Sequence, residues 1–446
     1  MTNLNVSSSD RWKEHEKALF RFFFIFFIIQ TVPLDGKYFK QIFSINWLHL
    51  GFDDIFYITR YSPQFFSDTQ TFADWAVVAL IALVGSISWG FLDKKHNEYN
   101  NLYYWLRVLL RYRLAIGIIG YGIIKLFPLQ APYPSISNLN TNYGDLSAWK
   151  IFSLSLGIVP NYESFLGFVE VLAGLLLFYR KTATIGAFII VVFAGNVFMS
   201  NLAYEGGEYV YSLYLISIAL FLLAYDAIRL YNLIGLERPT APNRYKPQFL
   251  VTLKTTRLIL KGGFIFFFVC LYGFKTYSSF KKGAYHFPQA PGIAGASGIY
   301  NVSEFTVNHN TLPYSATDSI RWKDVVFEKW NTISIRSDRP VKIDFSNTEE
   351  IFKQDNDRNY ELTGSGGRHY YRYDVDSSKR VLILYNKNKN YQGEKLVLNY
   401  SRLNDSTFVL KGLNEKNDSI SVVLNKINKK YLLKESAEGR SRGLIL

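Results

Sequence analysis

Sulfur is scarce in this chain, with one cysteine and two methionines in 446 residues. A lone cysteine, Cys270, excludes an intramolecular disulfide, a C-x-x-C redox pair and a thiolate metal cage. Its place in an apolar run reads as a small apolar filler. The histidines, at positions 15, 49, 96, 286, 309 and 369, fall at no H-x-H, H-E-x-x-H or paired spacing, so haem and zinc lack a ligand set. No P-loop or G-x-G-x-x-G occurs, and Gly364-Ser-Gly-Gly-Arg, between expected strands, reads as a hairpin turn rather than a phosphate cradle. A nucleic-acid patch is also missing. The net charge is +14, but residues 277–446 scatter 26 Lys+Arg among 19 Asp+Glu, and the rest of the surplus gathers between apolar segments.

Apolar and aromatic residues are abundant instead, at 49% and 17% of the chain, more than a soluble domain of this size needs. The mean hydropathy of +0.02 averages an oily part, roughly residues 17–276, with a polar remainder. A membrane-crossing helix needs ~20 apolar residues at ~1.5 Å each. Seven stretches qualify or nearly do: Ala18–Pro33, Trp75–Leu92, Leu114–Pro128, Phe165–Tyr179, Ala183–Asn201, Val210–Ala227 and Leu258–Tyr277. The first has the charged lead-in of a signal peptide, but Gln30-Thr-Val-Pro-Leu-Asp lacks a small-x-small cleavage site, which favours a retained anchor. Basic residues next to spans resist translocation. Arg11, Lys13 and Lys17, then Lys94, Lys95, Arg107 and Arg111, then Arg180 and Lys181, then Arg229, Arg238, Arg244, Lys246, Lys254 and Arg257 all fall on one side of a seven-span path. That side is the cytoplasm, with the N-terminus on it and the C-terminus outside.

The first outer loop, Leu34–Asp74, is rich in Trp47, Phe52, Phe56, Tyr57, Tyr61, Phe65 and Phe66 and is expected to lie along the headgroups. Ser147 is an expected N-cap for a short amphipathic helix that would lie with it as a roof over the bundle. On the inner side, Tyr99–Arg113 reads as a helix in the headgroup layer. Residues Lys281 to Ala316, with their prolines and glycines, read as a linker. From Ile320 short alternating segments follow: Thr332–Ile335, Val341–Phe345, Tyr370–Val375, Arg380–Tyr385, Lys395–Tyr400, Thr407–Lys411, Ile420–Leu424 and Lys430–Leu433. Turns at Asn404-Asp-Ser and Asn414-Glu-Lys-Asn-Asp separate them, as in a small antiparallel barrel or sandwich. The expected divisions are residues 1–110 with two spans, 111–230 as a four-helix core, 231–316 with the seventh span and linker, 317–436 as a periplasmic β domain, and 437–446 as a flexible tail.

Three spans contain residues that a membrane interior excludes: Lys125, Glu170 and Asn196. At helical rise Glu170 and Asn196 each lie ~10 Å from the outer ends of their spans, and the long stem of Lys125 reaches that level. Gly117, Tyr121 and Lys125 share a helix face, as do Gly167, Glu170 and Gly174, and as do Asn196 and Ser200. Small residues beside polar ones permit close helix packing. A polar seam results, with Glu170 and Lys125 as candidate catalytic residues and Tyr121, Asn196, Ser200 and Arg113 as candidate substrate-binding residues. A structural Lys125–Glu170 pair is the competing account. Asn196 suits a helix-to-helix hydrogen bond, Arg21, Arg113 and Asp226 are expected at cytoplasmic ends, and Gln30, Tyr204 and Glu205 are expected to border the site. No metal site is expected.

The run Arg113-Leu-Ala-Ile-Gly-Ile-Ile-Gly-Tyr-Gly-Ile-Ile-Lys-Leu-Phe-Pro, followed by Phe168-Val-Glu-Val-Leu-Ala-Gly-Leu-Leu-Leu-Phe-Tyr-Arg-Lys, resembles the DoxX-like membrane proteins over roughly Arg111–Leu230. That resemblance implies a four-helix membrane core in which Arg113, Lys125, Glu170 and Gly174 match the pattern. Some relatives are linked to sulfur-compound and quinone oxidation, so a quinone is the cofactor it implies. Leu396-Val-Leu-Asn-Tyr-Ser-Arg-Leu-Asn-Asp-Ser-Thr-Phe-Val-Leu-Lys-Gly is similar to lipocalin-like β modules. The expected class is thus a polytopic α-helical membrane protein of about seven transmembrane helices with a DoxX-like core and a C-terminal all-β domain, in a bacterial inner membrane. Two functions remain open. One handles a lipophilic small molecule, quinone or lipid, at the seam. The other is a passive anchor or assembly factor whose residues 317–436 bind an envelope protein. Whether the chain is an enzyme is not decided by its sequence, and a lipid membrane is the partner common to both.

Overall fold

Every residue from Arg113 to Lys125 except Ile116 is buried, which makes this stretch the axis of the protein's helical part. The computed structural model describes residues 12–66, 71–93, 96, 98–241, 245, 251–283, 285–346, 352 and 354–432. Arg11, Lys94, Lys95, Arg244, Lys246 and the expected tail lie outside the described residues. The chain divides into two units. One comprises Met1–Phe127 and Ser164–Lys281, the other Pro128–Glu163 and Lys282–Leu446.

The helices in chain order are α1 (Glu14–Thr31), α2 (Gly36–Ser44), α3 (Phe52–Thr59), α4 (Phe72–Leu92), α5 (Asn100–Leu126), α6 (Ile136–Leu139), α7 (Ala148–Gly157), α8 (Pro160–Leu177), α9 (Ala183–Ala203), α10 (Tyr209–Ala224), α11 (Ala227–Leu230), α12 (Val251–Ile265) and α13 (Tyr272–Lys282). A π-helical turn, Phe266–Leu271, joins the last two. Among the described residues four stretches are long and apolar enough to cross a membrane: Glu14–Ser44, Phe72–Leu92, Ala183–Ala203 and Thr255–Lys282. They become five if Tyr209–Ala224 and Ala227–Gly235, bent by 70°, count as one. The seven expected from sequence exceed this because α5 carries Arg107, Arg111, Arg113 and Lys125, and α8 carries Glu163 and Glu170. These charges, with Asn161 and Tyr162 at the start of α8, lower the apolarity of both helices, while burial of α5 from Arg113 onward gives its polar groups protein neighbours.

The outward faces differ sharply from that axis. On α4 Leu80, Ile81, Leu83, Val84, Ile87 and Phe91 are exposed, and on α9 Ile185, Phe188, Val192 and Met199 are exposed. Contiguous apolar surface of this kind calls for a lipid phase or another protein over it. The headgroup-layer helix expected at Tyr99–Arg113 is the first half of α5, continuous with the apolar run after it. The aromatic loop is also less superficial than expected. Phe52, Phe56 and Tyr61 are buried, whereas Phe43, Trp47, Phe65 and Phe66 are exposed.

The second unit is an eight-stranded antiparallel barrel. Its strands are β1 (Gly298–Val307), with the short β2 (Asn310–Thr311) at its end, then β3 (Asp324–Phe327), β4 (Thr332–Arg336), β5 (His369–Asp376), β6 (Val381–Asn386), β7 (Lys395–Asn404), β8 (Thr407–Leu413) and β9 (Ser419–Lys426). The short β2 pairs with β1 alone, from β3 onward each strand pairs with the next, and β1 pairs with both β3 and β9, which closes the ring. Side chains fill the interior, among them Tyr300, Phe305, Phe327, Tyr373 and Phe408. The Asn404 and Asn414 side chains cap their turns by accepting from Ser406 N at 2.8 Å and Lys416 N at 2.9 Å.

Two strands lie where sequence reading put a linker or nothing. In β1 a bulge between Val302 and Glu304 shifts the inward set from Tyr300 and Val302 to Phe305, which breaks the period of two. In β3 all four residues are buried, so no alternation exists to read. Conversely, Val341–Phe345 forms no strand, nor do Lys430–Leu432. The β unit therefore starts ahead of residue 317.

The cover over β3 comes from Pro128–Glu163. Glu328 accepts from Ser137 N at 2.7 Å and Ser137 Oγ at 2.6 Å. Burial pushes its carboxyl up while those bonds pull it down. Ser334 Oγ meets Ser137 Oγ at 2.8 Å, and fully buried Arg368 reaches Asp324 at 2.6 Å and Ser334 Oγ at 2.8 Å. Gly364-Ser-Gly-Gly is consequently no hairpin turn. It lies in the long β4–β5 connection, where Gly364, at φ +71°, donates no Cβ to the space held by Ser147 Oγ, 2.5 Å from where one would stand. Ser147 does cap α7, accepting from Lys150 N at 3.2 Å. But α7 packs in the β unit, with Lys150 fully buried beneath it.

Lys150 makes a pH prediction. Its ammonium donates to the Tyr360 carbonyl and stands 3.7 Å over the Tyr360 ring, and burial lowers its pKa from 10.5 to about 7. Between those values the unfolded chain holds a proton that the folded chain does not, so stability rises with pH, by at most about 1.4 kcal/mol per pH unit. Urea unfolding of the protein, followed by tryptophan fluorescence from pH 7 to 9.5, should record this rise. The Lys150→Met variant should lack it, and an unchanged slope in that variant would dismiss Lys150 as its source.

Candidate functional site

The last three turns of α5 approach α8 through glycine. A Cβ on Gly122 would stand 2.9 Å from Val171 N, and one on Gly167 would stand 2.2 Å from Leu126 N. Backbones this close leave no room for intervening side chains. Lys125 and Glu170 therefore meet directly, Nζ to Oε1 at 2.6 Å, with Glu170 2% exposed and Lys125 9% exposed. The second carboxylate oxygen, Oε2, is buried and has no hydrogen-bond partner among the described residues. A buried acceptor in that state is costly, so it is a place where a ligand's donor would be favoured.

A line of polar groups continues from this pair. Lys125 Nζ lies 5.9 Å from the Tyr121 ring centroid, one helical turn back on α5. The Tyr121 hydroxyl donates to Glu208 Oε2 at 3.0 Å, and Glu208 pairs with Arg60. Arg60 is steered by aromatic faces, 5.2 Å from Phe56 and 5.5 Å from Tyr121. Four elements contribute: α5, α8, the residue before α10, and the end of α3.

Arg113 belongs to a neighbouring arrangement, and here the sequence reading is corrected. It is not at a cytoplasmic helix end. It is buried in the middle of α5, donating to the Thr59 carbonyl at 2.7 Å and to the Tyr61 carbonyl, under the Tyr214 ring at 5.4 Å. Tyr211 donates to the same Thr59 carbonyl at 3.2 Å. Arg113 thus pins the loop after α3 into the helical unit. That accounts for its burial without a ligand.

Of the residues expected at the seam, Lys125, Glu170 and Tyr121 come together. Asn196 is exposed and Ser200 half-buried, and neither bonds to that group. One turn before Ser200, at Asn196, the α9 helix faces outward. Gln30 is buried, while Tyr204 is exposed. Arg60 and Glu208 went unrecognised because both lie in loops, where charge is unremarkable. The one available signal was that Glu208 immediately precedes an apolar run. Among the described residues no cluster of three or more His, Cys, Asp or Glu could hold a metal. Compared with family models, with curated proteins and with solved structures, the chain matches none.

Proposed function

We propose that this chain is an integral membrane protein that handles a lipophilic small molecule, a quinone or a lipid, at Lys125 and Glu170. The observation that carries this reading is the buried Glu170 Oε2, an acceptor held beside an ammonium and left without a donor. A hydroxyl or carbonyl-bearing headgroup would complete it: a hydroxyl donates to Oε2, and a carbonyl accepts from Lys125. Tyr121, Glu208 and Arg60 supply proton-exchanging or charged groups leading away from the pair. The DoxX-like reading of Arg111–Leu230 forms part of the proposal, supported by the burial of Arg113, Lys125, Glu170 and Gly174.

Seven crossings are supported by parity. Three, by α1, α4 and α5, precede Pro128–Glu163, and four, by α8, α9, α10 and the α12–α13 helix, precede Lys282–Leu446. Both pieces of the β unit then emerge on one side, opposite the N-terminus. Five crossings would split one unit across the membrane. Four crossings would bring the β unit to the basic side that the positive-inside rule assigns to the cytoplasm. A periplasmic β unit on a bacterial inner membrane, with the N-terminus cytoplasmic, fits best. The anchoring reading draws on the barrel, whose filled interior leaves its outer wall for recognition.

Mass spectrometry of small molecules retained by the purified full-length protein tests the proposal. A retained quinone would make the site redox-linked and a retained phospholipid would make it lipid-handling. Glu170→Gln should retain at least tenfold less, the loss of one charge-assisted bond. Equal retention by wild type and Glu170→Gln, or none by wild type, would sink it.

A further inference from the structure

A second polar site lies within the helical unit, apart from the Lys125–Glu170 pair. A cavity of about 800 Å³ opens between the first half of α5, the turn joining α8 to α9, and the end of α10 with α11. Its cations are Arg107 and Arg111 from α5, Arg180 and Lys181 from the turn, and Arg229 from α11. Facing them, among the described residues that line the cavity, is a single carboxylate, Asp226, which accepts from Thr184 Oγ1 at 2.7 Å and reaches Arg229 only at 3.8 Å. Among the described residues no carboxylate pairs with Arg107, Arg111, Arg180 or Lys181. Five cations converging on one acid repel one another, and a protein keeps such a cluster at a cost in stability unless an anion joins it.

The geometry holds the cluster ready. The Arg107 guanidinium lies 3.2 Å over the Tyr225 ring, and its Nε is buried without a hydrogen-bond partner. Arg111 is held from behind, its Nε donating to the Leu177 carbonyl at 3.0 Å. Arg180 donates to the Tyr245 carbonyl at 2.8 Å and lies 5.9 Å from the Tyr104 ring. Aromatic faces and carbonyls thus orient the guanidinium groups without neutralising them. The cavity is large enough for a whole headgroup, and beside it Tyr179, Ile185 and Ile228 are exposed, where acyl chains would run.

We propose that this cavity binds a phosphate-bearing anion, either the headgroup of an anionic phospholipid or a soluble phosphate. Arginine forks match phosphate oxygens in bidentate fashion, and basic pockets between membrane helices are suited to such headgroups. The site stands whether or not Glu170 handles a lipophilic ligand, because the two share no residue.

Full-length protein in neutral detergent is titrated with phosphatidylglycerol or phosphatidylcholine under native mass spectrometry, and with inorganic phosphate by calorimetry. Phosphatidylglycerol should bind more tightly than phosphatidylcholine. The Arg180→Gln/Lys181→Gln double variant, at the exposed rim, should weaken that binding about 25-fold, roughly fivefold per cation. Asp226→Asn, which removes the opposing charge, should strengthen it about fivefold, a gain that damaged folding would not produce. Displacement of phosphatidylglycerol by inorganic phosphate assigns the site to a soluble ligand, and resistance assigns it to lipid. Equal binding of the two lipids together with no heat from phosphate would overturn the proposal, as would unchanged affinity in both variants.

Discussion

Replacing Lys125 with methionine is expected to destabilise the helical unit by about 3–5 kcal/mol, the loss typical of a buried ion pair stripped of one partner. Methionine fills nearly the same volume, so the loss is electrostatic rather than a cavity. Glu170 would be left with neither oxygen bonded among the described residues, since Oε1 bonds to Lys125 and Oε2 has no partner there. Glu170→Gln should cost less, because Lys125 is near the end of α5 and its long stem can carry the ammonium past the helix end toward a more polar surrounding. The double variant Lys125→Met/Glu170→Leu should recover most of the loss, to within about 1 kcal/mol of wild type, as when apolar groups replace a buried pair. Unfolding in mixed detergent, followed by tryptophan fluorescence, measures the cycle. If Lys125→Met and Glu170→Gln cost the same, the asymmetry drawn from their exposures is mistaken. If the double variant is as unstable as Lys125→Met, the ion pair is not what couples them.

The Lys125–Glu170 contact was legible because a long apolar run tolerates few charges, and two on neighbouring apolar runs have few ways to be satisfied. Helix periodicity placed Tyr121 with Lys125 for the same reason. Asn196 was misplaced because periodicity says which residues share a face but not which way the face points. Arg113 was misplaced because α5 begins at Asn100, earlier than its apolar run, so an arginine that opens the run is mid-helix. The strands β4 to β9 were legible from alternation and turns. Strand β1 was hidden by its bulge and β3 by burial on both sides. That burial comes from Pro128–Glu163, far away in sequence, and contacts of this range leave no local pattern. The polar residues Ser137, Asn138 and Lys150 look like those of a solvated loop, yet all three are buried in the β unit.

Gly167→Ala is the substitution expected to damage the helix pairing beyond local repair. Its Cβ would stand 2.2 Å from Leu126 N, 2.5 Å from the Gly122 carbonyl oxygen and 2.6 Å from the Lys125 carbonyl carbon, all backbone. No rotamer change moves such atoms. The helices must separate by about an ångström, the gap between those distances and ordinary contact at ~3.5 Å, and overpacking of this kind costs about 3 kcal/mol or more. Gly174→Ala offers the contrast. Its nearest neighbours are side-chain atoms of Ile119, at 2.4 and 2.9 Å, and of Ile118, at 3.0 Å. Shortening Ile119 to alanine should therefore offset Gly174→Ala, bringing the Gly174→Ala/Ile119→Ala variant closer to wild type than the sum of the single losses. The same change should not rescue Gly167→Ala. Because Lys125 belongs to the displaced backbone, Gly167→Ala should also lower retention of any molecule held at Glu170, whereas the rescued Gly174 variant should keep it. Rescue of Gly167→Ala by Ile119→Ala would refute the backbone contact as the cause.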